Sequence, residues 1–426
     1  MTWVDIAVIA ALVVVWVLLA DKVSPFGITA PVLFTAAGLI IAGEPSLHLS
    51  LSASTVRVSA EITLVMVLFS DAARVRIHSL RQDVGLPIRL LGIGLPLTVL
   101  LGALLARVIF GSFGIWMAVL TAACLAPTDA GLGQGIVTDR MVPSRVRRVE
   151  NVESGLNDGI VAPLVSLAVA VLAGEATDSS GSILHAVREI GVGALIGVAG
   201  GLLLGWVLAT AVTRGWTEER AAALATTAGA VGIYALAVAV HANGFVAAFL
   251  AGMCFGVFRH RVGSESLGQT EATGQLLSYL VWFVFGAAML RPALSSPQVG
   301  RCLAYAVLSL TIVRMLPVAL ALIGTHLGAT TVAFIGWFGP RGLASVIFAL
   351  LAFDQLSSEA STLVTAVSIT VALSVVAHGV SAPPLIRRYA THAQAKPPEH
   401  SLLRDVEVPT GRRVVGGHFG GDHHAA

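Results

Sequence analysis

The sequence predicts an all-α polytopic membrane protein of about thirteen transmembrane helices. Three observations carry that expectation. Of the 426 residues, 56% are hydrophobic and only 12% are charged, against about 25% charged in soluble domains. Mean hydropathy is +0.86. Apolar stretches recur from Trp3 almost to Leu385, each near the roughly 20 residues that span a bilayer.

Glycine, proline and charged residues divide the apolar sequence into spans at about 3–20, 26–43, 56–74, 88–109, 114–136, 151–173, 186–212, 219–240, 243–258, 273–291, 300–324, 328–352 and 360–386. The first lacks a basic leader and a small-residue cleavage site, so it reads as a retained span and not a signal peptide. The ninth is short and the seventh long, which leaves twelve or fourteen as alternative counts. Basic residues follow the odd-numbered spans: Lys22; Arg74, Arg76 and Arg81; Arg140, Arg145, Arg147 and Arg148; Arg214; Arg259 and Arg261. Cytoplasmic loops are the basic ones. The N-terminus is therefore expected outside a cell (inner) membrane and the C-terminus in the cytoplasm.

Residues 1–388 form the membrane unit on this reading. Residues 389–426 are polar and rich in Gly and Pro, and read as a short cytoplasmic tail, mostly disordered. A net charge of +2 without a dense basic cluster gives no reason to expect nucleic acid as a partner. Cys124, Cys254 and Cys302 lie in apolar stretches at no metal-ligand spacing and read as small buried hydrophobes. His418, His423 and His424 in the tail read as incidental, and no cofactor is expected.

Two spans are interrupted. The fifth contains LAPTDAGLGQG, where Pro127 removes a helix donor and Gly131, Gly133 and Gly135 weaken helix propagation. Thr128 and Asp129 occupy that break. The twelfth contains WFGPRGLAS, with Gly339, Pro340, Arg341 and Gly342 amid apolar sequence. Pro127 and Pro340 lie 213 residues apart, half the chain. Matched interrupted spans in two halves point to a site built from inverted repeats. Two helices broken near the midplane leave positive and negative half-helix ends close together. Asp129 and Arg341 suit opposite members of such a crossing, each neutralising part of the exposed dipoles. A kinked helix or a short external turn is the simpler alternative at Pro127.

The sixth span opens with ESGLNDGIVAPL. Ser154, Asn157 and Asp158 are spaced i, i+3, i+4 and share one helical face, and Glu153 adjoins it. A carboxylate at membrane depth costs roughly 2.5 kcal/mol or more, so two of them need a purpose. Their oxygens, with amide and hydroxyl oxygens, are hard ligands that suit small cations. A carboxylate deprived of water also holds its proton more tightly. One Asp can therefore take a proton or a cation, and competition at a single group couples the two. The simpler reading makes Arg145 to Glu150 a charged loop and Glu153 a helix-start residue.

These residues resemble the sodium/proton antiporters of the NhaP and animal NHE type over residues 1 to about 388. Three motifs carry the resemblance: Thr128–Asp129 in a broken helix, Glu-Ser-x-x-Asn-Asp at Glu153 to Asp158, and Gly-Pro-Arg-Gly at Gly339 to Gly342. The resemblance implies a thirteen-helix antiporter fold with six-helix inverted repeats, a mobile core and a dimerisation domain, hence a homodimer in the lipid bilayer. It implies exchange of a monovalent cation (Na+, or K+ or Li+) for H+, serving pH and sodium homeostasis. Asp158 would carry the exchanged ion or proton. Na+ would sit at Asp158, Asp129, Ser154 and Thr128, with Asn157 beside it. Asp71, at the end of the third span, would lie near it or else form an interfacial ion pair with its neighbours Arg74 and Arg76. Asn157 in place of a second aspartate is similar to the electroneutral branch, one cation for one proton. Arg314, flanked by apolar residues in the eleventh span, matches a buried arginine that pairs with Glu153, and Arg341 is a structural charge. Many relatives have Pro after Thr-Asp where this chain has Ala130, so its break relies on Pro127 and the glycines.

Two other functions compete. A passive cation channel needs a multi-ion path, which one carboxylate does not make. An intramembrane hydrolase would use Asp129 and Asp158 as a dyad or Ser154 as a nucleophile, but Ser154 has no histidine near it in sequence. A transporter and not an enzyme is the expectation.

Overall fold

The computed structural model describes residues 3–24, 27–42, 53–75, 85–129, 132, 141–174, 179–263 and 265–394. Its described elements are all helical. They are α1 (Trp3–Val23), α2 (Ala30–Ile41), α3 (Ala53–Arg74), α4 (Gly85–Phe110), α5 (Ile115–Leu125), α6 (Ser144–Leu172) and α7 (Ser179–Thr213). The second half has α8 (Glu219–Ala239), α9 (Gly244–Phe255), α10 (Gly268–Leu294), α11 (Val299–Ala321), α12 (Ala329–Trp337), α13 (Leu343–Leu356) and α14 (Ser361–Gln394). Among the described residues, seven helices are long and apolar enough to cross a membrane. The tail histidines, Arg76, Arg81, Arg140 and the glycines 131, 133 and 135 lie outside the described residues.

Local chemistry sets several boundaries. Asn243 caps α9, its side chain accepting from the Val246 N–H at 3.0 Å, which satisfies one orphan donor. α4 and α10 each contain a π turn, at Leu90–Gly94 and Phe285–Leu290, with Pro96 and Pro292 just after them. A proline has no N–H to give to the preceding turn, and a π turn accommodates the mismatch.

The packing is exchanged in pairs. Without α7, and with α12 and α13 taken as one interrupted pass, six passes remain in each half. The second pass of each half then packs on the third of the other, α2 on α10 and α3 on α9. The fifth packs on the sixth in the same reciprocal way, α5 on α14 and α6 on α13. That reciprocity is the contact pattern of inverted repeats. Between the halves runs α7, seated along α9. Its Gly197 and Gly201 press against the other helix so closely that a Cβ would fall 2.8 Å from the Ala247 Cα and 2.6 Å from the Ala251 Cα. Small residues that let backbones approach are how helices associate in lipid, where burial from water supplies no drive.

One boundary differs from the sequence expectation. Arg145 to Arg148 read as a charged loop, yet α6 begins at Ser144 and carries them. Val142, Val146 and Val149 explain it. Val146 and Val149 in the first turns of α6, with Val142 just before it, join one buried cluster with Leu86, Val318, Phe334 and Ile386, and that packing outweighs the local charge.

Candidate functional site

The two interrupted passes meet. α5 ends at Leu125 and the chain runs on without helix through Pro127, Thr128 and Asp129. α12 ends at Trp337, and α13 starts only at Leu343. The two breaks bind each other: the Asp129 N–H donates to the Pro340 carbonyl at 2.8 Å. Two half-helix ends in this crossing find an opposite charge. The Arg341 guanidinium donates through Nη1 to the carbonyls of Ala126 and of Pro127, the latter at 3.2 Å, at the C-terminal end of α5. The Asp129 carboxylate accepts the Leu343 N–H at 2.8 Å, at the N-terminus of α13. Arg341 is fully buried. Gly342 leaves room for this arrangement, since a Cβ there would lie 2.5 Å from the Asp129 Cγ.

α6 passes beside the crossing and adds the polar face. Asn157 Nδ2 donates to Thr128 Oγ1 at 2.7 Å, and the Thr128 and Ser154 hydroxyls share a hydrogen bond of 3.0 Å. This leaves the Asn157 carbonyl oxygen buried without a partner. Asp158 lies one residue on, 8% exposed, and its Oδ1 is buried with no hydrogen-bond partner. The charged groups in electrostatic reach of it are Asp129 and Asp71, both acidic. Asp71 on α3 faces the α6 backbone, 3.7 Å from where a Cβ of Gly155 would stand. The structure thus gathers Thr128, Asp129, Ser154, Asn157 and Asp158 in one place, with Asp71 at its edge.

Glu153 and Arg314 meet one turn away. Arg314 Nη1 donates to Glu153 Oε1 at 2.5 Å, and both side chains are buried. Gly339 makes the space: a Cβ there would fall 2.8 Å from the Arg314 Cζ. This pair ties α6 to α11 and, through Gly339, to the twelfth pass. Among the described residues no group of three or more His, Cys, Asp and Glu could hold a metal ion. The oxygens gathered here are mixed, with carboxylate, amide and hydroxyl each contributing.

Three residues of this region are not singled out by sequence reasoning. Glu150 is buried on α6 one turn before Glu153, in electrostatic contact with Glu153 and Arg314. Ser374 and His378 on α14 are buried against the Phe338–Arg341 break. Glu150 hides among neighbouring surface charges. A histidine inside an apolar span is itself a signal, and it stands alone in the sequence of α14 before its polar end.

The chain matches a family described as sodium/hydrogen exchanger, transmembrane, over residues 8–388. It is 27% identical over 353 residues to the K(+)/H(+) antiporter NhaP2 of Shewanella oneidensis, covering 80% of this chain and 59% of that protein. It is 28% identical to the Na(+)/H(+) antiporter NhaP of Pseudomonas aeruginosa, covering 76% of this chain and 79% of that one. In structure it is similar to the sodium proton antiporter MjNhaP1 of Methanocaldococcus jannaschii, with a TM-score of 0.72 at 21% identity. That match covers 88% of this chain and 98% of MjNhaP1. The chain spans only about three fifths of the Shewanella protein's length.

Proposed function

Because the chain belongs to the sodium/hydrogen exchanger family, we propose that it exchanges a monovalent cation for a proton by alternating access, with Asp158 carrying either one. The observation behind this reading is the contrast among the buried carboxylates. Glu153 pairs with Arg314, which also lies in electrostatic reach of Glu150, and Asp129 holds the N-terminus of α13, whereas Asp158 has an unpartnered Oδ1 and only acids in reach. A desolvated charge without a fixed counterion is costly in a membrane interior. A proton or a cation removes that cost, and one carboxylate cannot hold both.

The Asn157 carbonyl, the Ser154 and Thr128 hydroxyls and Asp158 supply hard oxygens to a small cation. Asp129, already committed to α13, contributes through its remaining lone pairs or through water, and Asp71 acts at longer range. With Asn157 neutral, one carboxylate returns one charge in each direction, so exchange is one for one and electroneutral. Glu153, Arg314 and Arg341 are structural charges of the moving core. Residues 1–388 are the transport unit and the remainder is a cytoplasmic tail. The chain sits in the cell (inner) membrane with its N-terminus outside, as a homodimer. Sodium is the first cation to test, and the named substrates of the two relatives make potassium the second.

Purified protein in proteoliposomes with an imposed pH gradient and a pH-sensitive dye tests this. Addition of Na+, K+ or Li+ should collapse the gradient for wild type and not for Asp158→Asn. Exchange retained in that variant would overturn the assignment. Unitary currents in a planar bilayer would replace it with a channel.

A further inference from the structure

The crossing described above has one further helix end, the C-terminus of α12. The carbonyl of its last residue, Trp337, accepts the Gly339 N–H at 2.9 Å and has a second lone pair to fill, and beyond it the Phe338–Arg341 backbone is unwound inside the protein. Buried backbone groups of this kind need partners. α14 supplies them from two residues one helical turn apart. The Arg341 N–H donates to Ser374 Oγ at 2.7 Å, and His378 Nε2 lies 2.8 Å from the Trp337 carbonyl oxygen. The other ring nitrogen, Nδ1, is 3.2 Å from Ser374 Oγ and 2.8 Å from the Ser374 carbonyl.

Hydrogen counting selects among the forms of the ring. A neutral imidazole has one N–H, and a carbonyl can only accept. If the proton were on Nδ1 it would go to the Ser374 carbonyl, and the Nε2 lone pair would face the Trp337 carbonyl with no donor hydrogen to relieve it. With the proton on Nε2, the ring donates to Trp337 and Nδ1 accepts the Ser374 hydroxyl hydrogen. The Ser374 oxygen meanwhile accepts from Arg341. Each neutral form sets one ring lone pair against a carbonyl, and only in this one does a donor, the Ser374 hydroxyl, stand beside that lone pair to relieve it. An imidazolium would satisfy both carbonyls but would place a third cation beside Arg341 and Arg314, the charged groups in reach of the ring. The ring is 3% exposed and stacks on Trp337 at a centroid distance of 5.2 Å. Trp337 is fixed in turn, its indole N–H donating to Ser381 Oγ at 3.0 Å.

We propose that His378, as the neutral Nε2–H tautomer, is a positioning residue for exchange: with Ser374 it clamps the unwound Trp337–Arg341 backbone to α14. The clamp acts through other groups. It sets the backbone from which Arg341 reaches the end of α5 and on which Pro340 receives the Asp129 N–H. His378 does for the end of α12 what Arg341 does for the end of α5. This inference rests on the exchange reading only for its functional consequence, because the tautomer is a property of the folded chain.

Two measurements test it. Solid-state 15N spectra of histidine-labelled protein in lipid, wild type minus His378→Gln, should show a protonated Nε2 and an unprotonated Nδ1 at neutral pH. A protonated Nδ1, in either the neutral ring or an imidazolium, would overturn the proposal. In proteoliposomes His378→Leu should slow cation/proton exchange about tenfold, the equivalent of one lost hydrogen bond to the backbone. His378→Gln, whose amide can donate to Trp337 and accept from Ser374, should restore the rate to within about threefold of wild type. Equal rates for His378→Leu and wild type would overturn the positioning role, as would a Gln variant no better than Leu. Should the Leu variant fail to fold, the spectrum and the Gln rate still decide. A wild-type protein without exchange would sink the proposed function and leave the tautomer assignment standing.

Discussion

Glu153 and Asp158 lie five residues apart on one helix, both buried, and the fold treats them in opposite ways. Around Glu153 the protein builds a counterion: Arg314 at 2.5 Å, with Gly339 clearing the space for its guanidinium. Around Asp158 it places two more acids and leaves Oδ1 unpartnered. The first arrangement spends its electrostatics on holding helices together. The second keeps them for whatever arrives. A buried ion pair roughly cancels its own desolvation, whereas a lone buried charge retains an unmet demand. Binding chemistry is found where the structure declines to complete itself.

The largest effect expected from this contrast is on transport. Asp158→Asn should lower exchange by at least about 100-fold, as loss of an essential proton carrier does, while its melting temperature stays at or above that of wild type. A lower melting temperature would mean that Asp158 is structural after all. The converse holds for Glu153. Glu153→Ala or Arg314→Ala should cost about 3–5 kcal/mol by stranding the other charge, seen as loss of monodisperse protein on gel filtration. The paired change Glu153→Leu with Arg314→Leu should recover much of that loss. A double variant worse than either single one would show that the pair does more than neutralise itself.

A sharper test moves the boundary between the two regions. Asn157→Asp adds a carboxylate beside Asp158 and removes the amide that donates to Thr128. Exchange should then respond to a clamped membrane potential, because a second charge accompanies each cycle. An unchanged response to potential would separate Asn157 from charge stoichiometry. The smallest effect belongs to an exposed pair. Arg57 bridges α3 to Asp354 on α13 at 2.8 Å and also holds Glu61, yet it is half exposed. Arg57→Ala should shift stability by less than about 1 kcal/mol in thermal unfolding. A larger loss would place the main contact between these helices at the surface.

Much of this was legible in the sequence because polar residues in apolar spans stand out against their background. Pro127 and Pro340 marked both breaks, and Asp129 and Arg341 fall on opposite members of the crossing with the charges the dipoles require. The pairing of Glu153 with Arg314 crosses 161 residues, and spacing cannot show it. The family resemblance implies it, and the demand of each charge for a partner agrees. Ser374 and His378 were less visible, because a clamp on a backbone is recognised from the carbonyl it serves and not from its own neighbours. The start of α6 misled for the opposite reason. Arginines there suggest a loop, while Val146 and Val149, with Val142 just before the helix, decide the matter by packing.

The glycine seam between α7 and α9 has a mechanical consequence. Where backbone touches backbone on successive turns, no side chain can change rotamer to absorb a displacement. A slip of one residue, about 1.5 Å along the axis, would bring a side chain into a space where a methyl group does not fit. The two helices therefore carry shear as one beam. Since α7 joins the halves of the chain, a load on one half reaches the other through a stiff member and not through a hinge. This seam is a place where the protein does not give.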